Sequence, residues 1–343
     1  MSIDTVIIGA GLAGITCARA LQAAGRDVVV LDKSRGVGGR LATRRLHGTQ
    51  ADHGFRVWAP QHPGLQALTE ELVAADVLQP WEEGYAAKDG GNAIAKYLAR
   101  NIPINRQHRV VALSRQQQAW RIESEVPNGD STALMDVRQM HVRQVVLALP
   151  APQIAEILER SGFSAAATLP LRQVEYAPCV TVMAGYGDAI AGWPHQDQTY
   201  QNQILPVNSP LKQIVLDSSK RSQNTSTVMV LHSTADFATG TLPIDRHRLE
   251  PAAQQLLQAA EAQVPGLAQP DWFQVHRWRY ALVARPYAAA FSALSVPKAS
   301  PILCCGDWCQ PPVPERSPYR NIDAAFQSGQ AVAQQILEVR SRG

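Results

Sequence analysis

One short segment and one acid have the residue types and spacing needed to bind a dinucleotide. The segment is Gly9-Ala10-Gly11-Leu12-Ala13-Gly14, and the acid is Asp32, 18 residues after Gly14. Gly9 permits a tight turn, Gly11 lets the backbone approach a pyrophosphate, and Gly14 lets a helix pack closely on a strand. The pattern predicts phosphates at a helix N-terminus and ribose hydroxyls at Asp32.

A second glycine cluster favours FAD over NAD. It follows Asp32 as Gly36-Val37-Gly38-Gly39-Arg40, and extended FAD has a second phosphate and a ribityl chain to hold. Far along the chain, the apolar run Ile302–Cys305 ends at Gly306-Asp307, where an acid can bond a ribityl hydroxyl. A helix predicted from about Ile322 can direct its positive end at the flavin edge that gains negative charge on reduction. The predicted cofactor-binding residues are Gly9, Gly11, Leu12, Ala13, Gly14, Asp32, Lys33, Gly39, Arg40, Val110, Gly306, Asp307, Asn321 and Ile322.

The segment His276-Arg277-Trp278-Arg279-Tyr280 is the main candidate for contact with a substrate. Because strand side chains alternate, His276, Trp278 and Tyr280 are expected on one face, and both arginines on the other. We predict an aromatic wall over the substrate. A core strand with a solvated basic face is the alternative. The candidate catalytic residues are His53, His276, Trp278, Arg279 and Tyr280.

Other chemistries lack the residue patterns that they need. The five cysteines, which form no C-x-x-C pair, predict buried free thiols and no metal site; they are Cys17, Cys179, Cys304, Cys305 and Cys309. Ser-His-Asp hydrolysis lacks its G-x-S-x-G motif. A net charge of +3 argues against nucleic-acid binding. The apolar runs are shorter than the roughly 18 residues of a membrane span, and the start has no basic signal-peptide region. We expect a cytoplasmic protein with a small-molecule partner and neither a nucleic-acid nor a membrane partner; its oligomeric state stays open.

The surrounding sequence predicts the elements that position these residues. Apolar strands at Thr5–Ile8 and Val28–Leu31, with a helix between them, predict a βαβ unit. Three later runs predict an antiparallel meander, and they are Arg109–Leu113, Trp120–Glu125 and Val137–Leu149. Residues 165–300 mix strands with a helix at Pro251–Gln263, and a closing helix is expected at Ile322–Val339.

A chain of 343 residues predicts about two domains. We expect an α/β fold with a Rossmann-like FAD-binding domain that contains a β-meander crossover, and an inserted α+β substrate domain with a mixed or antiparallel sheet. The expected FAD-binding domain comprises 1–80, 104–164 and 298–343, and the expected substrate domain comprises 81–103 and 165–297.

These motifs together resemble the FAD-dependent amine-oxidase-like flavoproteins, and within them the renalase-like branch. The resemblance is carried by residues 6–14, 32–44, Asp52-His53-Gly54, 276–281 and Gly306-Asp307-Trp308-Cys309. Two segments depart from the branch. Phe55-Arg56-Val57-Trp58 replaces the usual Ala-Gln-Tyr-Phe, and a longer proline-rich stretch occupies 310–318.

The resemblance implies noncovalent FAD and hydride transfer from a small reduced substrate to flavin N5. Renalase-like enzymes oxidise isomeric dihydro-NAD(P) and pass the electrons to O2, which yields H2O2. An oxidase of amines or amino compounds is the second hypothesis, because Trp278 and Tyr280 would also flank an amine. A flavin-binding protein without turnover is the third.

Overall fold

The computed structural model describes residues 3–128, 131–187, 202–205, 208–221, 226–242, 245, 248–264, 267, 269–297, 299–310 and 320–341. The helices in these ranges are α1 Leu12–Ala23, α2 Pro63–Ala74, α3 Asn92–Leu98, α4 Ala151–Arg160, α5 Ala165–Arg172, α6 Ala235–Thr241, α7 Glu250–Gln263 and α8 Arg320–Ser341. In the described part of the chain, no helix combines the length and the apolar character that crossing a membrane requires.

The strands in the described ranges belong to five sheets. In chain order they are β1 Thr5–Ile8, β2 Val28–Asp32, β3 Thr43–Leu46, β4 Thr49–Asp52, β5 Leu78–Trp81, β6 Gly84–Ala87, β7 Ile104–Arg106, β8 Arg109–Gln116, β9 Ala119–Asn128, β10 Ser131–Val142, β11 Gln144–Leu147, β12 Glu175–Tyr186, β13 Asn202–Ile204, β14 Leu211–Leu216, β15 Thr227–Ser233, β16 Trp272–Arg285, β17 Ser292–Leu294 and β18 Ile302–Cys304.

The largest sheet has the order β17-β18-β11-β1-β2-β7 and is parallel except for β17 at its edge. Its central strands are buried on both faces, as their continuous apolar runs predict. Helices α1, α2, α3 and α8 cover one face through one core cluster. The meander and α4 cover the other through a second cluster. The Rossmann-like prediction is confirmed.

The meander contains β8, β9 and β10, paired antiparallel. The single strand expected at Val137–Leu149 was wrong in one respect. It is divided at Arg143 into β10, which belongs to the meander, and β11, which joins the parallel sheet beside β1. All four residues of β11 are buried, so burial on both faces holds it in the large sheet.

The second large sheet has the order β13-β14-β15-β12-β16, and all its pairs are antiparallel. One face packs on α6 and α7. The other packs on segments that lie between β4 and β6 in the chain. The antiparallel substrate sheet is thereby confirmed, and its second face is turned toward the β3–β4 hairpin.

Two details bear on the proposed division into domains. Strand β17 pairs with β18 in the parallel sheet, although 292–294 was placed with the substrate domain. Helix α3 packs in the same core as α1, although 81–103 was placed there too. We keep the two-domain division as a proposal, with these two elements assigned to the parallel sheet.

Candidate active site

The first glycine turn joins β1 to α1 and is open on one side. Gly9 has a φ of 113°, and a Cβ there would lie 2.3 Å from a backbone carbonyl oxygen. A Cβ on Gly14 would lie 2.0 Å from the carbonyl oxygen of Gly9. At Gly11 a Cβ would have nothing within 4 Å. The helix starts directly afterwards with the buried residues Leu12 and Ala13. The turn therefore offers free space at Gly11, beside a helix N-terminus.

Asp32 ends β2 and faces the same turn. Its carboxylate accepts hydrogen bonds from the backbone N–H of Ala10 at 2.6 Å and of Ser34 at 2.7 Å. Beside it lies a cavity of about 210 Å³, called here the Asp32 cavity. Its lining includes the predicted residues Gly9, Asp32, Lys33, Val110, Arg279 and Tyr280. A cavity at the carboxyl ends of parallel strands is where such sheets hold nucleosides.

The second glycine cluster lies against the first. Gly38 forms a parallel bridge with Gly11, and its N–H donates to the carbonyl of Ala10 at 2.8 Å. A Cβ on Gly39 would meet only the Cα of Gly11, at 3.5 Å. The two loops therefore place backbone close to backbone around one open space.

Arg40 and Asp307 connect this second loop to the segment after β18. The guanidinium donates two hydrogen bonds of 2.7 Å to the Asp307 carboxylate, which is buried. Such a bidentate pair fixes the orientation of both groups. Both residues were predicted to bind the cofactor, and the structure pairs them with each other; their contacts with FAD stay a prediction. The neighbouring Gly306 donates its N–H to Ser328 Oγ of α8 at 3.1 Å.

Helix α8 begins at Arg320, close to the predicted start. Asn321 and Ile322 lie half-buried in its first turn. The side chain of Asp323 accepts hydrogen bonds of 3.1 Å from the backbone N–H groups of residues 61 and 62. Apart from residue 310, the proline-rich stretch at 310–318 lies outside the described residues.

Two ring side chains of β16 pack against a third from a distant part of the chain. The ring centroid of His53, just after β4, lies 5.1 Å from that of His276 and 5.3 Å from that of Trp278. The rings of His276 and Trp278 are 4.4 Å apart, and the indole N–H of Trp278 donates to the backbone oxygen of His53 at 3.0 Å. The structure thus brings together three of the five candidate catalytic residues.

A β-bulge interrupts β16 directly after Trp278, where the pairing with β12 skips residues 279–281. Because of it, Arg279 and Tyr280 both line the Asp32 cavity, and the alternation predicted for them was wrong. Arg40 donates to two carbonyl oxygens within the bulge, at 3.2 and 3.3 Å. These two residues are therefore placed at the nucleoside end of the site, and their contact with substrate stays a prediction.

Two models of known protein families match most of the chain. The family model described as flavin containing amine oxidoreductase matches residues 74–337. The chain belongs to the flavin-containing amine oxidoreductase family. A second model, described as an NAD(P)-binding Rossmann-like domain, matches residues 7–72, the part that contains both glycine loops and Asp32.

Individual relatives match over shorter stretches. Putrescine oxidase from Kocuria rosea is 40% identical over 90 residues, which is 25% of this chain and 19% of that protein. The 15-cis-phytoene desaturase of Narcissus pseudonarcissus is 33% identical over 82 residues, 24% and 14% of the two chains. Both matches span less than a fifth of the relative. A solved structure of putrescine oxidase bound to putrescine has a TM-score of 0.66 at 12% identity, covering 98% of this chain and 99% of that one, which shows the shared fold.

FAD is the cofactor of this family, and the residues of the site fit it. The open space at Gly11 suits a pyrophosphate, and the Asp32 cavity suits an adenosine. The Arg40–Asp307 pair lies between the second glycine loop and the end of β18, toward which the flavin half would extend. The contact of each individual residue with FAD stays a prediction.

A buried quartet of charges lies directly beside the ring cluster, and the sequence analysis missed it. Asp52 and Asp217 pair with Lys220 and Arg221, all four at most 6% exposed. Lys220 Nζ lies 2.7 Å from Asp217 and 3.4 Å from Asp52, and Arg221 bonds both carboxylates. The only available signal was the i,i+3 and i,i+4 spacing after Asp217. The quartet ties β4 to the substrate sheet and leaves no net charge.

Three histidines near the quartet are neutral at pH 7. Burial is the main cause that lowers the pKa of His53 to about 3, and the neighbouring His276 and Arg44 lower it further. Burial also lowers the pKa of His232 to about 4, with a smaller contribution from the charge of Lys220. For His276, burial and then the charge of Arg44 lower the pKa to about 4. Each of these rings is therefore uncharged at pH 7 and cannot act as an imidazolium acid.

We expect the protein to lose stability on mild acidification, between pH 6.5 and pH 5. The unfolded chain protonates these three histidines below about pH 6.5, whereas the folded chain does so only near their lowered pKa values. Unfolding therefore takes up protons in this range, and the free energy of unfolding falls with pH. Urea titrations at pH 7.5 and 5.0 measure it. The variant His53→Phe should show a smaller fall than wild type, while the exposed control His141→Phe should show the same fall.

The structure also shows the surroundings of the cysteines and of Arg56. All five cysteines are free, as predicted, and four are buried, whereas Cys179 is half-buried; burial raises the pKa of Cys309 to about 12, so this thiol is unreactive. Arg56, in the segment that departs from the renalase-like branch, forms ion pairs with Glu82 at 2.7 Å and Glu83 at 2.5 Å. The charge of Arg56 is therefore paired with carboxylates at the turn of the β5–β6 hairpin.

Proposed function

We propose that this protein is an FAD-dependent oxidase of a small reduced substrate that carries negative charge, and that an isomeric dihydro-NAD(P) fits the site better than an amine does. When bound, FAD supplies the acceptor for the hydride, and O2 would take the electrons on to H2O2. The side chains of His53, His276 and Trp278 would hold the substrate ring and exclude water from it.

The observation that carries this proposal is the electrostatics of the ring cluster. Arg44 acts on both His53 and His276 and lowers both pKa values. Asp52 directly precedes His53, but its carboxylate is neutralised by Lys220 and Arg221. A positive surface with compensated carboxylates disfavours a cationic diamine and favours the phosphates of a dinucleotide.

The neutral histidines also agree with a donor that needs no base. A dihydropyridine becomes aromatic when it loses a hydride, so its oxidation requires no proton transfer to the protein. In the part of the chain that the structure describes, His53 Nδ1 has no hydrogen-bond partner, so no third group there holds the ring in the orientation that a general base requires. The chain's part is then to position the donor carbon within about 3–3.5 Å of its acceptor.

An amine or amino compound is the alternative substrate, and it is favoured by the family match and by the putrescine oxidase relatives. The experiment that separates the two is anaerobic stopped-flow of the yellow protein against isomerised dihydro-NAD(P) and a panel of amines. Loss of flavin absorbance near 450 nm with dihydronicotinamides supports the proposal. Loss with amines alone overturns it, and loss with neither supports a flavin-binding protein without turnover.

Arg44→Gln should weaken substrate binding about fivefold, because it removes about 1 kcal/mol of charge attraction. The concentration dependence of anaerobic flavin reduction gives the dissociation constant. Arg45→Gln is the matched control, since neighbouring strand residues point to opposite faces and both side chains are exposed. An equal effect of the two substitutions would show that only overall charge matters.

A further inference from the structure

A polar row crosses the substrate sheet on the face that His53 covers. The register places Gln213 opposite His232, His232 opposite Thr181, and Thr181 opposite His276. Directly opposed residues of antiparallel strands share one face of the sheet. The four side chains therefore form a line across β14, β15, β12 and β16 that ends at the imidazole in contact with His53.

Gln274 extends this polar surface along β16. It lies two residues before His276, and so on the same face. Its cross-strand partner is Met183, which is fully buried and packs in the cluster that contains Ala51 and Val57. The intervening Val275 packs on the opposite, helix-covered face. The Gln274 side chain thus faces the same part of the chain as the ring cluster does.

Three buried polar atoms on this surface have no hydrogen-bond partner among the described residues: His53 Nδ1, His232 Nδ1 and Gln274 Oε1. Buried polar atoms in native proteins are nearly always paired with protein or with water, and each exception calls for an explanation. Three such atoms in one region point to a group that the described part of the chain does not supply.

Two of the three atoms can accept a hydrogen bond. Gln274 Oε1 is an amide oxygen and can only accept. A neutral imidazole carries one proton, so with that proton on Nε2 the Nδ1 atom of His232 holds a lone pair. A group with two N–H donors would therefore pair both atoms.

We infer that His232 and Gln274 recognise the carboxamide NH2 of a nicotinamide ring and determine the specificity of the site. This inference rests on the proposed function and names two residues for it. A carboxamide offers two N–H donors without a charge, which matches two acceptors. An ammonium would meet the repulsion of Arg44, whereas the charge of Lys220 is offset by Asp52 and Asp217.

The test compares two neutral ligands that give up no hydride: 1,4,5,6-tetrahydro-NAD, and its 3-acetyl analogue, in which a methyl replaces the NH2. Isothermal titration calorimetry on the FAD-loaded protein gives both dissociation constants. Wild type should bind the carboxamide at least about tenfold tighter, since the acetyl group leaves the acceptors unpaired. Gln274→Met and His232→Leu should each reduce this preference to less than about threefold.

Two further variants serve as controls for this test. Gln274→Glu retains an acceptor and should retain the preference. Gln254→Met makes the same change on the exposed side of α7, across the sheet, and should bind both ligands as wild type does. The melting temperature and the spectrum of bound FAD identify any variant that is misfolded.

The outcomes separate this inference from the proposed function. Suppose that dihydronicotinamides reduce the flavin, but wild type does not bind the carboxamide tighter than the acetyl analogue, or both variants keep this preference. His232 and Gln274 then do not recognise the carboxamide, and only this inference fails. If neither ligand binds and amines alone reduce the flavin, the proposed function fails and the inference fails with it.

Discussion

Gly11→Val is expected to give a folded, colourless protein without FAD. The backbone at Gly11 has a φ of −79°, which any residue adopts, and a Cβ there meets nothing within 4 Å. A valine side chain would therefore leave the fold intact and occupy the space needed by the pyrophosphate. We expect FAD affinity to fall at least about a hundredfold, or about 2.7 kcal/mol. Absorbance near 450 nm and calorimetric titration with FAD measure it.

Gly14→Ala is the contrasting control. Its Cβ would lie 2.0 Å from a backbone oxygen, so this smaller change should destabilise the protein itself. Comparison of melting temperatures without FAD separates the two effects. A Gly11→Val protein that stays yellow would show that the pyrophosphate does not pass this glycine.

Asp217→Ala is expected to destabilise the protein by about 3–5 kcal/mol, because it leaves buried positive charge without its partner. Lys220 and Arg221 would then share Asp52 alone, and the Asp52 N–H would lose its 3.1 Å bond to Asp217. Urea unfolding at pH 7.5 measures the loss in free energy.

The control for this variant removes a surface carboxylate that also pairs with two cations. Glu71 pairs with Arg19 and Arg100, and all three side chains are more than a third exposed. Glu71→Ala should therefore cost no more than about 1 kcal/mol. A similarly small loss for Asp217→Ala would mean that water reaches the quartet.

The cofactor turn could be predicted from sequence because its signals are local. Gly9, Gly11, Gly14 and Asp32 lie within one βαβ unit, and the physical need for each glycine follows from the turn itself. The buried quartet could not be predicted in this way. Asp52 and Asp217 are 165 residues apart, and each of its charges looks locally like a solvated surface residue.

The errors within β10–β11 and β16 have a related cause. Val137–Leu149 is one long run in sequence, and only the burial of β11 beside β1 shows where it divides. Alternation placed His276 and Trp278 correctly, but it has no means of locating a bulge, which depends on the partner strand. His232 gave no local signal either, since only cross-strand pairing brings it to the site.

The parallel sheet takes its first strands from the start of the chain and β18 from residues 302–304. A ribosome adds about 5–20 residues per second, so tens of seconds separate the synthesis of Gly14 from that of Asp307. Once residues 144–147 have been made, the growing polypeptide exposes the unpaired edge of β11 until β18 binds there. Because Asp307 belongs to the predicted cofactor site, complete FAD binding has to follow its synthesis, and until β18 is in place the edge of β11 is available for pairing with strands of other chains.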